Sequence, residues 1–246
     1  MTGSRQQRAG ATSLTQQSGL CLSELMVALA VGTVVLAGSL EALNIVQAQA
    51  VRQQGTMAAQ QEMRIGMEVF EQEARMASSA NIVTALPDRF EFLANIHALQ
   101  TLTTGSVVPG QTVLPVQNGS GWGAGKTVVL CGASGCESHE LADQGQRTQL
   151  RLDGPVGGMY SAGASVAVRN RVIYYTRRDD GDRLQFMRQI DGGAGVLVGN
   201  VQSVRLSYWD EWGRVATGIG QVTRVVVEVV QTVEGAMSVR EVTVRS

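Results

Sequence analysis

The stretch LMVALAVGTVVLAGSL, residues 25–40, contains no ionisable side chain, and carrying it back to Leu20 adds only Glu24. An apolar run of this length crosses a bilayer as a helix, because each residue advances the helix by about 1.5 Å and the hydrocarbon layer is about 30 Å thick. Arg5 and Arg8 precede the run, and the next basic residue is Arg52. That asymmetry of positive charge places the N-terminus in the cytoplasm and the bulk of the chain outside it. A cleavable secretory signal is the rival reading, since Ala48-Gln49-Ala50 offers an A-x-A cleavage site. Against it stand the length of the apolar run and a carboxylate, Glu24, at the cytoplasmic end where signal sequences carry basic residues. A lipoprotein reading through Cys21 fails for want of an apolar core before the cysteine, and bulky Leu20 occupies the place of a small residue.

Helical spacing continues past the membrane run. Ala59, Met63, Met67, Phe70, Ala74 and Ala77 recur at intervals of four and three residues, which aligns them on one helix face. Gln60, Glu62, Arg64, Glu68, Glu71, Glu73 and Arg75 mostly fall outside that stripe, so this half is amphipathic and lies against a sheet. The Met and Phe positions read as core rather than as a ligand box. A helix from Leu20 to Ala77 would be about 85 Å long.

After Ser79 the pattern changes to short β runs at Arg89–Leu93, Lys126–Cys131, Thr148–Leu152, Val166–Tyr175, Leu184–Ile190, Val201–Trp209, Val222–Val233 and Ser238–Val244. Asp179-Asp180-Gly181-Asp182 and Glu234-Gly235-Ala236 separate consecutive runs with turn chemistry, so the runs pair as hairpins. The expected fold is α+β: a long N-terminal helix, membrane-spanning in its first half and amphipathic in its second, packed on an antiparallel β-sheet. Leu86 to Gly125 reads as a less regular insertion, and no second independent domain is expected.

Composition narrows the function. The chain has 246 residues, 44% of them apolar, and its 20 basic and 21 acidic side chains leave a net charge of −1. That balance argues against general disorder and gives no basic surplus for nucleic acid, so no nucleic-acid partner is expected. Of three cysteines, Cys21 lies in the apolar region, while Cys131 and Cys136 bracket a short loop containing Gly132 and Gly135 that can fold back on itself. Outside the cytoplasm that pair is expected to form a disulfide, ahead of free thiols or a zinc site with His139.

The octapeptide Ser18-Gly19-Leu20-Cys21-Leu22-Ser23-Glu24-Leu25 resembles the cleavage and methylation motif of type IV prepilins, a glycine followed by F-T-L-x-E-L. Leu20 stands where the motif has Phe and Cys21 where it has Thr. The resemblance implies that prepilin peptidase cuts between Gly19 and Leu20, that Leu20 is N-methylated, and that Glu24 serves assembly. It also divides the chain into a leader (1–19), the transmembrane half of the helix (20–46), its amphipathic half (47–79) and an extracytoplasmic β-rich domain (80–246). VIYYTRRDDGDRLQFMRQIDGG, NVQSVRLSYWDEWG and TRVVVEVVQ are similar to the C-terminal half of PilW-type minor pilins, and J-type pseudopilins of type II secretion share the outline. A pilin-like fold, a single pass through the inner membrane, incorporation in a pilus, and other pilins or pseudopilins as partners are what this likeness implies. A tethered binding module that never polymerises is the reading from a different class.

Signals for catalysis are few. Ser120-Gly121-Trp122-Gly123-Ala124-Gly125-Lys126-Thr127 departs from a phosphate-binding loop at its first glycine and leads into a β run where such a loop opens a helix. Asp179, Asp180 and Asp182 lack the frame of a calcium loop. Two histidines, with no G-x-S-x-G or H-E-x-x-H, give little material for hydrolysis. The expectation is a protein that is not an enzyme and uses no cofactor. Tyr208, Trp209 and Trp212 form an aromatic group that is either a partner contact or part of the sheet packing.

Overall fold

A computed structural model describes residues 22–232 and 237–245. Gly19, Leu20, Cys21 and the turn expected at Glu234-Gly235-Ala236 lie outside the described residues. The chain divides into two compact units, Met1–Gln54 and Gly55–Ser246. Helix α1 spans Leu22–Ala74. It ends before Ala77 because the last bonds tighten to the i→i−3 type, Met76 N to Glu73 O at 2.9 Å and Ala77 N to Ala74 O at 3.1 Å. Ser78 is then extended and a short 3₁₀ turn covers Ser79–Asn81.

Thirteen strands follow in chain order. They are β1 (Ile82–Leu86), β2 (Arg89–Ala94), β3 (Gln100–Leu102), β4 (Val113–Pro115), β5 (Thr127–Gly132), β6 (Gly135–Glu140), β7 (Gln149–Arg151), β8 (Ser165–Val168), β9 (Asn170–Arg178), β10 (Leu184–Ile190), β11 (Gly193–Trp209), β12 (Arg224–Gln231) and β13 (Met237–Thr243). The main sheet has the order β1-β2-β9-β10-β11-β12-β13, and every pairing is antiparallel. Strand β11 serves both halves of the sheet: its early residues pair with β10, and its later ones pair with β12. The two ladders overlap at Val201, just after Asn200, which takes a left-handed φ of 48°. The sheet curls so far that Leu206 N donates to Pro87 O, 2.8 Å away.

Met63, Met67, Phe70, Ala74 and Ala77 are buried against this sheet, with Phe90, Phe92, Tyr174, Phe186, Leu206 and Val227 among their neighbours in one core. Phe70 and Tyr174 meet edge to face with centroids 4.8 Å apart, a geometry that adds to simple area burial. Gly66 marks the closest approach: a Cβ there would lie 2.6 Å from Val198 Cγ2 and 2.7 Å from Leu197 O. Past the helix, Ser79 N donates to Arg245 O (2.9 Å) and Arg245 N to Ala77 O (3.0 Å), which forms a parallel bridge in a sheet that is otherwise antiparallel.

The insertion differs from its expected form. It leaves after β2, returns at β9, and is ordered throughout as two small sheets, β3-β8-β5-β6 and β4-β7, around a second core of Leu114, Trp122, Leu130, Leu150, Val166 and their neighbours. The run Val166–Tyr175 is accordingly two strands, broken at Arg169, because the chain passes there from the insertion into the main sheet. Strand β6, GCESHE, has no β-forming pattern and is mostly solvent-facing; its place is set by pairing with β5 across a tight turn.

Candidate functional site

Between Leu22 and Leu40 every residue of α1 is exposed, and Glu24 is the one ionisable group among them. Ser23, Glu24, Val27, Ala28 and Val31 share one exposed face at helical spacing. The helix is long and apolar enough to cross a membrane, which is consistent with a single-pass anchor near the N-terminus.

The second half of the helix is fixed by polar contacts at both ends of its buried stripe. Gln231 Nε2 donates to Ala59 O at 2.7 Å, and Gly199 N donates to the Glu62 carboxylate at 2.7 Å. At the other end Glu73 is buried, accepts a bond from Tyr174 Oη at 2.5 Å, and forms a two-pronged pair with Arg188 through Nε at 2.9 Å and a second guanidinium nitrogen. The hydrogen bond to Glu73 raises the Arg188 pKa above its ordinary value. Burial, reinforced by the Glu73 charge, pushes the Tyr174 hydroxyl far above the usual tyrosine range, so it stays a donor. The spacing assigns Glu73 to the polar face, whereas the structure buries it. Its position three residues after Phe70 and one before Ala74 was the signal that it borders the buried stripe.

Cys131 and Cys136 are joined by a disulfide, as the loop between them suggested. They are directly opposite each other in the β5–β6 hairpin, with Cα atoms 4.1 Å apart. The bond takes both thiols, so the zinc alternative has lost its sulfur ligands. His139 Nε2 instead lies 3.2 Å from Glu137 Oε2. Glu137 also accepts a bond from Gly157 N at 2.8 Å, and that donor holds its carboxyl below the usual glutamate range. Among the described residues no group of three or more His, Cys, Asp and Glu is placed to hold a metal ion.

The phosphate-loop look-alike leads into β5, and Lys126 Nζ points to Asp191 Oδ2 at 3.2 Å. The Asp179–Asp182 segment is a hairpin turn closed on itself. Asp179 accepts from Gly181 N and Arg183 N at 2.9 Å each, and the Arg183 amide above all depresses its pKa. The aromatic trio is split three ways. Tyr208 points into the main core, with its hydroxyl 2.8 Å from Leu86 O. Trp209 is half-buried with the Arg224 guanidinium 5.9 Å from its ring centroid, whereas Trp212 is 71% exposed.

Comparison with family models, with curated proteins and with solved structures gives no match in any of the three. The fold defines a class: an α+β protein with one membrane-length apolar helix followed by antiparallel β-sheets.

Proposed function

We propose that this chain is a minor pilin, synthesised as a precursor, cut by prepilin peptidase between Gly19 and Leu20, and built into a type IV pilus through α1. It acts by assembly and not by catalysis, with its β-rich domain outside the cytoplasm and other pilin-type subunits as partners. The observation that carries this reading is the Glu24 carboxylate, the one ionisable group in the fully exposed stretch Leu22–Leu40. A charged carboxylate at membrane depth costs about 2.5–3.5 kcal/mol, so it calls for a cation. The methylated amino terminus of a neighbouring subunit supplies one: at about 4 Å and an effective dielectric near 20, the attraction is about 4 kcal/mol.

The test compares wild type with Glu24→Val for cleavage, membrane fractionation and recovery in sheared pili. Cleavage and insertion should persist in the variant, with intact mass showing a mature chain that starts at Leu20, while recovery in pili is lost. Normal recovery of the variant would sink the assembly role in favour of a tethered binding module. A chain starting at Val51 would mark ordinary signal peptidase and remove the pilin reading altogether.

A further inference from the structure

The chain leaves the main sheet after Ala94 and re-enters it at Asn170, and these two residues are register partners in the β2–β9 ladder. Residues 96–169 therefore begin and end at one place. Asn170, fully buried, secures the junction by accepting from Ile96 N at 3.2 Å and donating to Asp191 Oδ2 at 2.6 Å. All six strands between these points pair only with one another. Their core of Val107, Leu114, Trp122, Leu130, Leu150 and Val166 shares no buried member with the core around Phe70. The Lys126–Asp191 ion pair crosses the seam, and a cleft lined by Met76, Leu93, Val129, Cys131 and Ala167 lies between the two bodies.

We propose that residues 96–169 fold and open independently of the helix-bearing body, and that the Cys131–Cys136 disulfide controls the opening. Its position gives it that control. Val128 and Leu130 of β5 belong to the core of the insertion, while β6 has no residue in either core. The ladder to β5 and the disulfide hold β6 in place, together with bonds donated by Gly157 N to Glu137, by Asp153 N to Glu140 O and by Ser134 Oγ to Met159 O. Cys136 is the more exposed of the two cysteines, so its sulfur is open to attack by the thiolate of a dithiol reductant. The attack forms a mixed disulfide with Cys136 and releases Cys131 as a thiolate. The second thiol of the reductant resolves the mixed disulfide, leaving the reductant oxidised by two electrons and both protein cysteines protonated. Removing the cross-link restores chain entropy to the open insertion but leaves the contacts of the body untouched.

The three tryptophans make the two bodies separately visible, since Trp122 lies in the insertion core and Trp209 and Trp212 in the body. The experiment is thermal unfolding of the full chain in detergent micelles, with and without dithiothreitol. Trp209→Phe/Trp212→Phe reports the insertion, and Trp122→Phe reports the body. Reduction should lower the insertion midpoint by on the order of 10 °C and move the body midpoint by no more than about 2 °C. Cys131→Ser/Cys136→Ser in the insertion-reporting background should reproduce the reduced midpoint without reductant. Leu150→Ala, which leaves the disulfide intact, should shift the insertion transition alone. A single midpoint for both reporters, moving together on reduction or with Leu150→Ala, would overturn the proposal.

Discussion

The two halves of α1 are both rich in large apolar side chains, yet they meet opposite fates. From Leu22 to Leu40 none is buried; from Met63 to Ala74 one stripe is sealed against the sheet and the other faces are mostly polar, with Ile65 exposed among them. The difference lies in pattern. An all-round apolar surface has no face to turn toward water, so it needs a solvent of its own, whereas a one-sided stripe needs only a sheet. Between Leu22 and Leu40 Glu24 is the exception, and under the assembly proposal a neighbouring subunit answers it. In the second half the corresponding exception is Glu73, and the chain answers it internally with Tyr174 and Arg188.

The comparison can be broken most forcefully at Phe70. Phe70→Ala should lower the unfolding free energy of the sheet domain by about 3–5 kcal/mol, because it empties a fully buried aromatic site. Leu36→Ala should leave that stability unchanged. Denaturant titration in micelles reads both, and equal losses would mean that the two halves are not distinct environments.

Glu73→Gln should cost about 2–4 kcal/mol. It removes the charge partner of Arg188, whose side chain is only about one-third exposed, and so leaves a partly buried cation unanswered. Restoration by Arg188→Met in the same chain would identify the loss with the pair itself; no restoration would assign it to the Tyr174 bond.

Glycine gives the finest contrast. Gly66→Ala should destabilise by about 1–3 kcal/mol, since its Cβ would collide with Val198 and the Leu197 carbonyl. At Gly32 and Gly38 a Cβ meets nothing within 4 Å, so the same change there should leave unfolding of the domain unmoved and add about 0.5–1 kcal/mol of helix propensity. A neutral Gly66→Ala would show that the helix has room to shift on the sheet.

The helix was legible because its two periodicities are long and strong, and Met63, Met67, Phe70, Ala74 and Ala77 are buried as the spacing implied. Strands with dense β-branched content, such as Arg224–Gln231, stood out for the same reason. What escaped had tertiary causes. The start of β11 at Gly193-Ala194-Gly195 has no strand propensity and is held by its register with β10. Strand β6 is held by a turn and a covalent bond, and the body of the insertion by contacts among short segments far apart in sequence. The disulfide was legible because four intervening residues, two of them glycines, allow little other than a tight return, while Glu73 was hidden by the convention that charge belongs outside.

The parallel bridge between Ser78 and Arg245 has a mechanical consequence. It clasps the far end of the chain to the segment just after the helix, so the two ends of the sheet domain meet at one point. Tension along α1 that passes its contacts with the sheet reaches Ala77–Ser79 and is shared there with the segment after β13 through two backbone hydrogen bonds. The load is thus divided between the first and last strands of the sheet and need not be carried through the intervening ladder rung by rung. A protein pulled by its helix is in this way gripped at both edges of its sheet.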